Sequence, residues 1–173
     1  MDVLELIKTR RSVRSFTDEP VSEDILRELV EAGCWAPTAG NMQVWQFVVV
    51  RDKDKQKKLQ RFSPGLFVLP AALIVICTDR ERAFARGGEM ARDVLSLCDA
   101  SMAAQNIMLA AHAMGLGTCV VRSFDQRAYQ ILLDLPEHIL PELVVSVGYP
   151  KAVPKPPSRR PLEEVLHYER WGG

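Results

Sequence analysis

Arg10-Arg11-Ser12-Val13-Arg14 sets two guanidinium groups four residues apart with a hydroxyl between them. That grouping suits a phosphate, because guanidinium–phosphate bonds are charge-assisted, often bidentate, and about twice as strong as neutral hydrogen bonds. The same arginines could instead complement the negative end of a preceding helix, at about 0.3 to 1 kcal/mol each. These five residues alone leave both readings open. Ser158-Arg159-Arg160-Pro161 adds a second basic pair far along the chain, which in isolation reads as a solvated tail. The stretch from Ala36 to Trp45 gathers Asn41, Gln43 and Trp45, more amide and aromatic surface than a plain connection needs. Gly115-Leu116-Gly117-Thr118 can stop a helix at Gly115 and allow close backbone approach at Gly117. Its order is wrong for a dinucleotide-binding turn, whose glycines follow a strand and precede a helix.

Other chemistries find little support. His112, His138 and His167 stand outside any Ser, Cys or acidic partner pattern of a nucleophilic site. Cys34, Cys77, Cys98 and Cys119 lack both a C-x-x-C pair and the spacing of a zinc or iron–sulfur site, and read as reduced, buried residues. With Asp2 and Glu5 at the start and no basic stretch leading into an apolar run, no secretory signal is expected, so a cytoplasmic protein is the simplest inference. Lys plus Arg balances Asp plus Glu at 22 each, so no global field gathers nucleic acid and any charge-based function must be local.

The elements that must position these residues can be read from spacing. With 173 residues, 47% of them hydrophobic, the chain is expected to form one domain around one core. Helical periodicity predicts a short helix over 2–9, a second from Ser22 to near Trp35, and a lysine-rich third near 54–62. Four apolar, β-branched runs at 46–50, 72–77, 117–121 and 143–148 predict a sheet of about four strands. Strands alternating with helices place the chain in the α/β class, with antiparallel pairing left open. From Ala91 to Met114 apolar residues occupy every side of the helical wheel, which predicts a helix buried all round, one face of it against a second copy of the chain. Asp99, Gln105, Asn106 and His112 interrupt that run and argue against a membrane span. Pro150 to Pro157 predicts a stiff, extended arm.

Taken in order, R-R-S-V-R at Arg10–Arg14, A-P-T-A-G-N-M-Q-V-W at Ala36–Trp45, G-L-G-T at Gly115–Thr118 and R-R-P-L-E-E-V at Arg159–Val165 resemble the motif series of the nitroreductase family. The resemblance implies an α/β (α+β) fold whose central, mainly antiparallel sheet of about four to five strands is flanked by helices. It further implies a homodimer with the long buried helix at its interface, a C-terminal arm exchanged between subunits, and flavin mononucleotide (FMN) bound between them. NADH or NADPH would be the reductant and a nitroaromatic, quinone or similar small molecule the acceptor, in ping-pong order, with the chemistry borne by the flavin. By the family pattern Arg10, Ser12 and Arg14, with Arg11 beside them and Arg159 or Arg160 joining, hold the phosphate and ribityl end. Pro37, Thr38, Ala39 and Asn41 reach the isoalloxazine from the partner subunit, and the backbone around Cys119, Val120 and Val121 lies near the ring.

Some positions depart from the pattern. Val44 replaces the proline before Trp45, Val120 stands where many relatives carry tryptophan, with Arg122 close behind, and the stretch from Phe62 to Ala72 is short for a lid. These changes bear on the acceptor pocket rather than on flavin binding. The alternatives within the same frame are a module that stores or senses flavin, and a relative that fragments its flavin or dehalogenates a substrate. Neither nucleic acid nor membrane is an expected partner.

Overall fold

The computed structural model describes residues 2–173. Strands β1 (Trp45–Val50), β2 (Ala72–Asp79), β3 (Gly117–Val121) and β4 (Ile139–Gly148) form one sheet in the order β1-β2-β4-β3, with every neighbouring pair antiparallel. The antiparallel option left open by the sequence is therefore the one taken. Side chains alternate across the sheet, so Ile74, Ile76, Leu143, Val145 and Val147 face one core while Leu73, Val75, Cys77, Val121 and Val144 face another. Helices α2 (Glu23–Cys34) and α5 (Ser96–Ala113) cover the first face, through Leu26, Leu29, Ala104 and Ile107. Leu59 of α3 (Lys53–Gln60) and Tyr129 of α6 (Gln126–Leu132) cover the second.

Local signals explain most boundaries. The Ser22 side chain accepts the Ile25 N–H at the start of α2, and Asp52 accepts the Lys55 N–H at the start of α3. Two helices were not foreseen, α4 (Arg80–Met90) and α6, although Asp79 and Asp125 cap them in the same way, on Arg82 and Ala128. Strand β4 begins at Ile139, four residues before the predicted Leu143, because Pro141 reads as a break. Pairing continues past it where the register shifts between Ile76 and Cys77, and such an irregularity tolerates proline in a central strand.

The long apolar run is also corrected in detail. Its first turn, Ala91–Leu95, is π-helical, and α5 proper starts at Ser96. A face rich in small residues (Ala100, Ala104, Ala111) packs into the core against the sheet, while Ser101, Met102 and Gln105 remain exposed in the single chain. Helix α4, the π turn and α5 form the one stretch among the described residues long and apolar enough to cross a membrane, and burial of that inner face accounts for its composition.

The chain leaves α5 at Gly115, whose φ of +77° is the left-handed conformation that favours glycine. Two residues on, Gly117 meets the arginine segment. The Val13 N–H donates to the Thr118 carbonyl at 2.8 Å and Ser12 bridges Thr118 in parallel, so residues 12–13 lie along the outer edge of β3. A Cβ at Gly117 would sit 2.8 Å from the Val13 side chain, closer than carbon atoms approach. Gly117→Ala should therefore lower stability by about 1–3 kcal/mol, the usual cost of overpacking, read as a lower urea midpoint with an unchanged denaturant slope.

Candidate functional site: a basic cleft and a polar loop

Helix α1 (Val3–Thr9) delivers the arginine segment to β3. The C-terminal arm leaves beside it, because the Thr17 N–H donates to Tyr149 O and the Lys151 N–H to Ser15 O, a short ladder that sends residues 151–159 back along residues 10–14. The result is one cleft of about 320 Å³ shared by Arg10, Arg11, Ser12, Arg14, Lys155 and Arg159, with Pro154 and Pro157 also on its wall. No acidic residue lines it. Two basic groups separated by almost the whole sequence thus meet, and in a protein of zero net charge they make a local positive field.

The two readings of the arginines divide between residues. Arg11 takes the helix-end role, its Nη1 donating to the carbonyls of Lys8 at 2.7 Å and Arg10 at 2.8 Å. Arg10 does not, and its Nη1 is buried without a hydrogen-bond partner. A buried, unpaired guanidinium nitrogen is costly unless an anion meets it, so the donor set and the orphaned nitrogen both fit a phosphate. Arg160 lies apart from the cleft lining, paired with Glu164 on the exposed arm at 3.0 Å.

The polar loop has its own logic. Gly40, Asn41 and Gln43 all adopt positive φ, between 50° and 53°, the region where glycine and asparagine are least strained. Side chains hold it so: the Gln43 N–H donates to Thr38 Oγ1 at 3.2 Å, Gln43 Nε2 donates to Asn41 Oδ1 at 2.8 Å, and the Ala39 N–H donates to Asp99 Oδ1 at 3.0 Å. Asp99 is 1% exposed in the first turn of α5, and burial pushes its carboxyl above the ordinary value despite the Ala39 hydrogen bond. Pro37, Gly40 and Asn41 are exposed, with Thr38 and Ala39 half-buried, and none of them lines the basic cleft. The cleft is tied to the other end of α5, where His112 Nε2 lies 2.9 Å from Thr9 Oγ1. Asp99 and His112 are thirteen residue steps apart on the helix, a rise of about 20 Å.

Beyond the cleft, Cys119 and Ser146 meet Arg14 and the loop Gly65–Val68 around a small hollow, with Val121 packed under Gly65. Val120 is half-exposed on the other side of β3. Just past β3, Arg122 rests 3.7 Å from the buried carboxylate of Glu142, which also accepts from Thr78 Oγ1 at 3.2 Å. Sequence reasoning missed Lys155 as a cleft residue, Asp99 as the anchor of the loop, and the Gly65–Val68 wall. Of these only Asp99 carried a signal, as the lone charge past Asp93 in an apolar helix.

The fold is thus a mixed α/β architecture with a four-stranded antiparallel sheet, a long helix and a basic cleft at its edge. The nitroreductase family profile matches residues 7–67 and 64–149. A Methanothermobacter thermautotrophicus protein classed as an NADH dehydrogenase/NAD(P)H nitroreductase is 35% identical over 99% of this chain and 88% of its own. The NADPH-flavin oxidoreductase of Vibrio harveyi is 28% identical over 98% of this chain and 75% of its own. A solved nitroreductase family protein from Streptococcus pneumoniae superposes with a TM-score of 0.86 at 27% identity, covering 96% of this chain and 99% of the other. The chain belongs to the nitroreductase family, a family of oxidoreductases.

Burial raises the Glu142 carboxyl from its ordinary 4.5, and Thr78, Arg122 and Arg80 offset only part of that. A carboxyl raised in the fold contributes stability that is complete below the unfolded value and is lost as pH rises through the folded one. Glu142→Gln, with no charge to bury, should show a higher urea midpoint than wild type at pH 7, and the gap should close as pH falls below about 4.5.

Proposed function

We propose that the protein is an FMN-dependent oxidoreductase that takes electrons from NADH or NADPH and passes them, in ping-pong order, to a nitroaromatic, quinone or similar small acceptor. The observation that carries this reading is the acid-free cleft with the buried, unpartnered Arg10 Nη1. When bound, the flavin supplies the two-electron redox chemistry linking reductant to acceptor. The chain's own part is to bind and orient it. Arg10 and Arg14 hold the phosphate with charge-assisted bonds, Ser12 adds its hydroxyl, Arg159 and Lys155 close the anion from the arm, and Arg11 fixes the end of α1. The backbone at Cys119, Val120 and Val121 flanks the ring.

The ring's other side needs a second copy of the chain. The loop of Pro37, Thr38, Ala39 and Asn41 and the phosphate cleft are tied to opposite ends of α5, about 20 Å apart. A two-fold axis that sets two α5 helices antiparallel through their exposed faces carries one copy's loop to the other's cleft. Surface area supports this homodimer. The single chain exposes 10312 Å², where a compact monomer of its mass would expose about 8,500 Å². The excess includes an apolar stripe on α1 (Val3, Leu4, Ile7) and apolar residues of the arm (Leu162, Val165, Leu166, Trp171). On this reading residues 1–173 act as one FMN-binding domain in the cytoplasm.

Arg10→Ala combined with Arg14→Ala removes two charged hydrogen-bond donors, each worth about 1.5–3 kcal/mol. FMN should bind at least about 100-fold more weakly to this variant in a fluorescence titration, with little change in urea midpoint. Wild type should be yellow and consume NAD(P)H steadily with a nitroaromatic or quinone present. Equal FMN affinity in variant and wild type would refute the phosphate role, and consumption that stops after one equivalent of flavin would refute turnover.

A further inference from the structure

The Thr9 hydroxyl closes α1 immediately before the arginine segment, 2.7 Å from the Glu5 carbonyl oxygen and 2.9 Å from His112 Nε2. Two oxygens at 2.7 Å need a proton between them, and a carbonyl has none to give. The Thr9 proton therefore goes to Glu5, which makes Nε2–H of His112 the donor to Thr9. Nδ1 is then the nitrogen that gains or loses a proton, and it can do so without breaking the Thr9 bond.

The charges acting on this ring come from one side. Burial first, then Arg10 and Arg11, hold His112 below its ordinary 6.5. Glu5 and Lys8 of α1 are exposed to solvent, β3 contributes no charged side chain, and the segments of β1, β2 and β4 packed against α5 are apolar. Helix α2 turns Glu23, Arg27 and Glu31 into a different groove, and Asp99 lies at the far end of α5. The two arginines that oppose a proton on His112 are therefore also walls of the basic cleft.

We infer that His112 is a positioning residue whose protonation is coupled to the cleft: it takes a proton from solvent at Nδ1 when a phosphate monoester dianion occupies the site, and holds that anion more tightly as pH falls. This rests on the reading of the cleft as the flavin phosphate site. A phosphate ester carries about −1.5 to −2 charges at neutral pH, enough to cancel the field of Arg10 and Arg11 at the ring. Coupling is reciprocal, so an anion that favours the imidazolium is itself favoured by it. A nearby opposite charge moves a titration by about one unit or more, and one unit is a tenfold change in affinity.

The direct test is the NMR titration of the imidazole C–H signals of His112, His138 and His167 in apo wild type, with FMN, and with riboflavin, which has no phosphate. The His112 titration should move up by about one unit with FMN and stay in place with riboflavin. His112→Gln keeps an N–H for Thr9 but cannot titrate. Calorimetry of FMN binding in two buffers of different ionisation enthalpy should show proton uptake in wild type beyond that of the variant, which shares the phosphate's own titration. From pH 8 to pH 5.5, wild-type affinity should gain about tenfold over the variant. FMN binding with an unmoved His112, or an equal shift with riboflavin, overturns the coupling while leaving the flavin site intact. Failure of wild type to bind FMN at all overturns the flavin reading and this inference together. If the variant does not fold, the wild-type titration decides alone.

Discussion

The architecture depends on one helix that must be buried along one face and anchored at both ends. Its alanines Ala100, Ala104 and Ala111 are buried in the core beneath the sheet, where added volume costs stability. Its first turn carries Asp99, whose carboxylate fixes the polar loop, and its last turn carries His112, which is bonded to the end of α1. The helix therefore acts as a ruler between the two polar parts of the chain. A rod of this length cannot bend to bring its own ends together, so the loop and the cleft of one chain stay about 20 Å apart, and the proposed site is completed by a second copy.

Assembly of the basic cleft runs against electrostatics and is enforced by backbone. Arg10, Arg11, Arg14, Lys155 and Arg159 repel one another, yet the ladder between residues 15–17 and 149–151 and the approach of Val13 to Gly117 leave them no other place. Hydrogen bonds and packing laid down by the fold outweigh the mutual repulsion of partly solvated charges. Arg11 is fixed within this cluster, since its guanidinium donates to two carbonyls and stiffens the turn that carries Arg10. Asn41 and Gln43 do the same for the loop by bonding to each other.

Much of this was legible in the residues. Strand β3 lies where the apolar run put it, α2 begins at its Ser22 cap, and Gly115 and Gly117 take the two roles their spacing suggested. Helix α4 escaped notice because it buries little beyond Ala83 and is broken by Gly87 and Gly88, and α6 because its seven residues give periodicity few turns in which to declare itself, even though the aspartate caps were in view. The meeting of Arg159 with Arg10 was suggested by motif order alone, since local propensity cannot reveal a contact between distant segments. Lys155 was hidden for a related reason: its position depends on a backbone ladder that only the folded chain creates. The all-round apolarity of α5 was read as burial on every side, one face of it against a second copy; the single chain buries the sheet-facing side and leaves Ser101, Met102 and Gln105 exposed.

In the proposed dimer each flavin is held jointly by two chains, one supplying guanidiniums and the other the loop. Native mass spectrometry of the purified protein with added FMN weighs the assembly and its contents together. The expected species is two chains carrying two flavins, with flavin lost in step with dissociation to single chains. Single chains that retain one flavin each would contradict it.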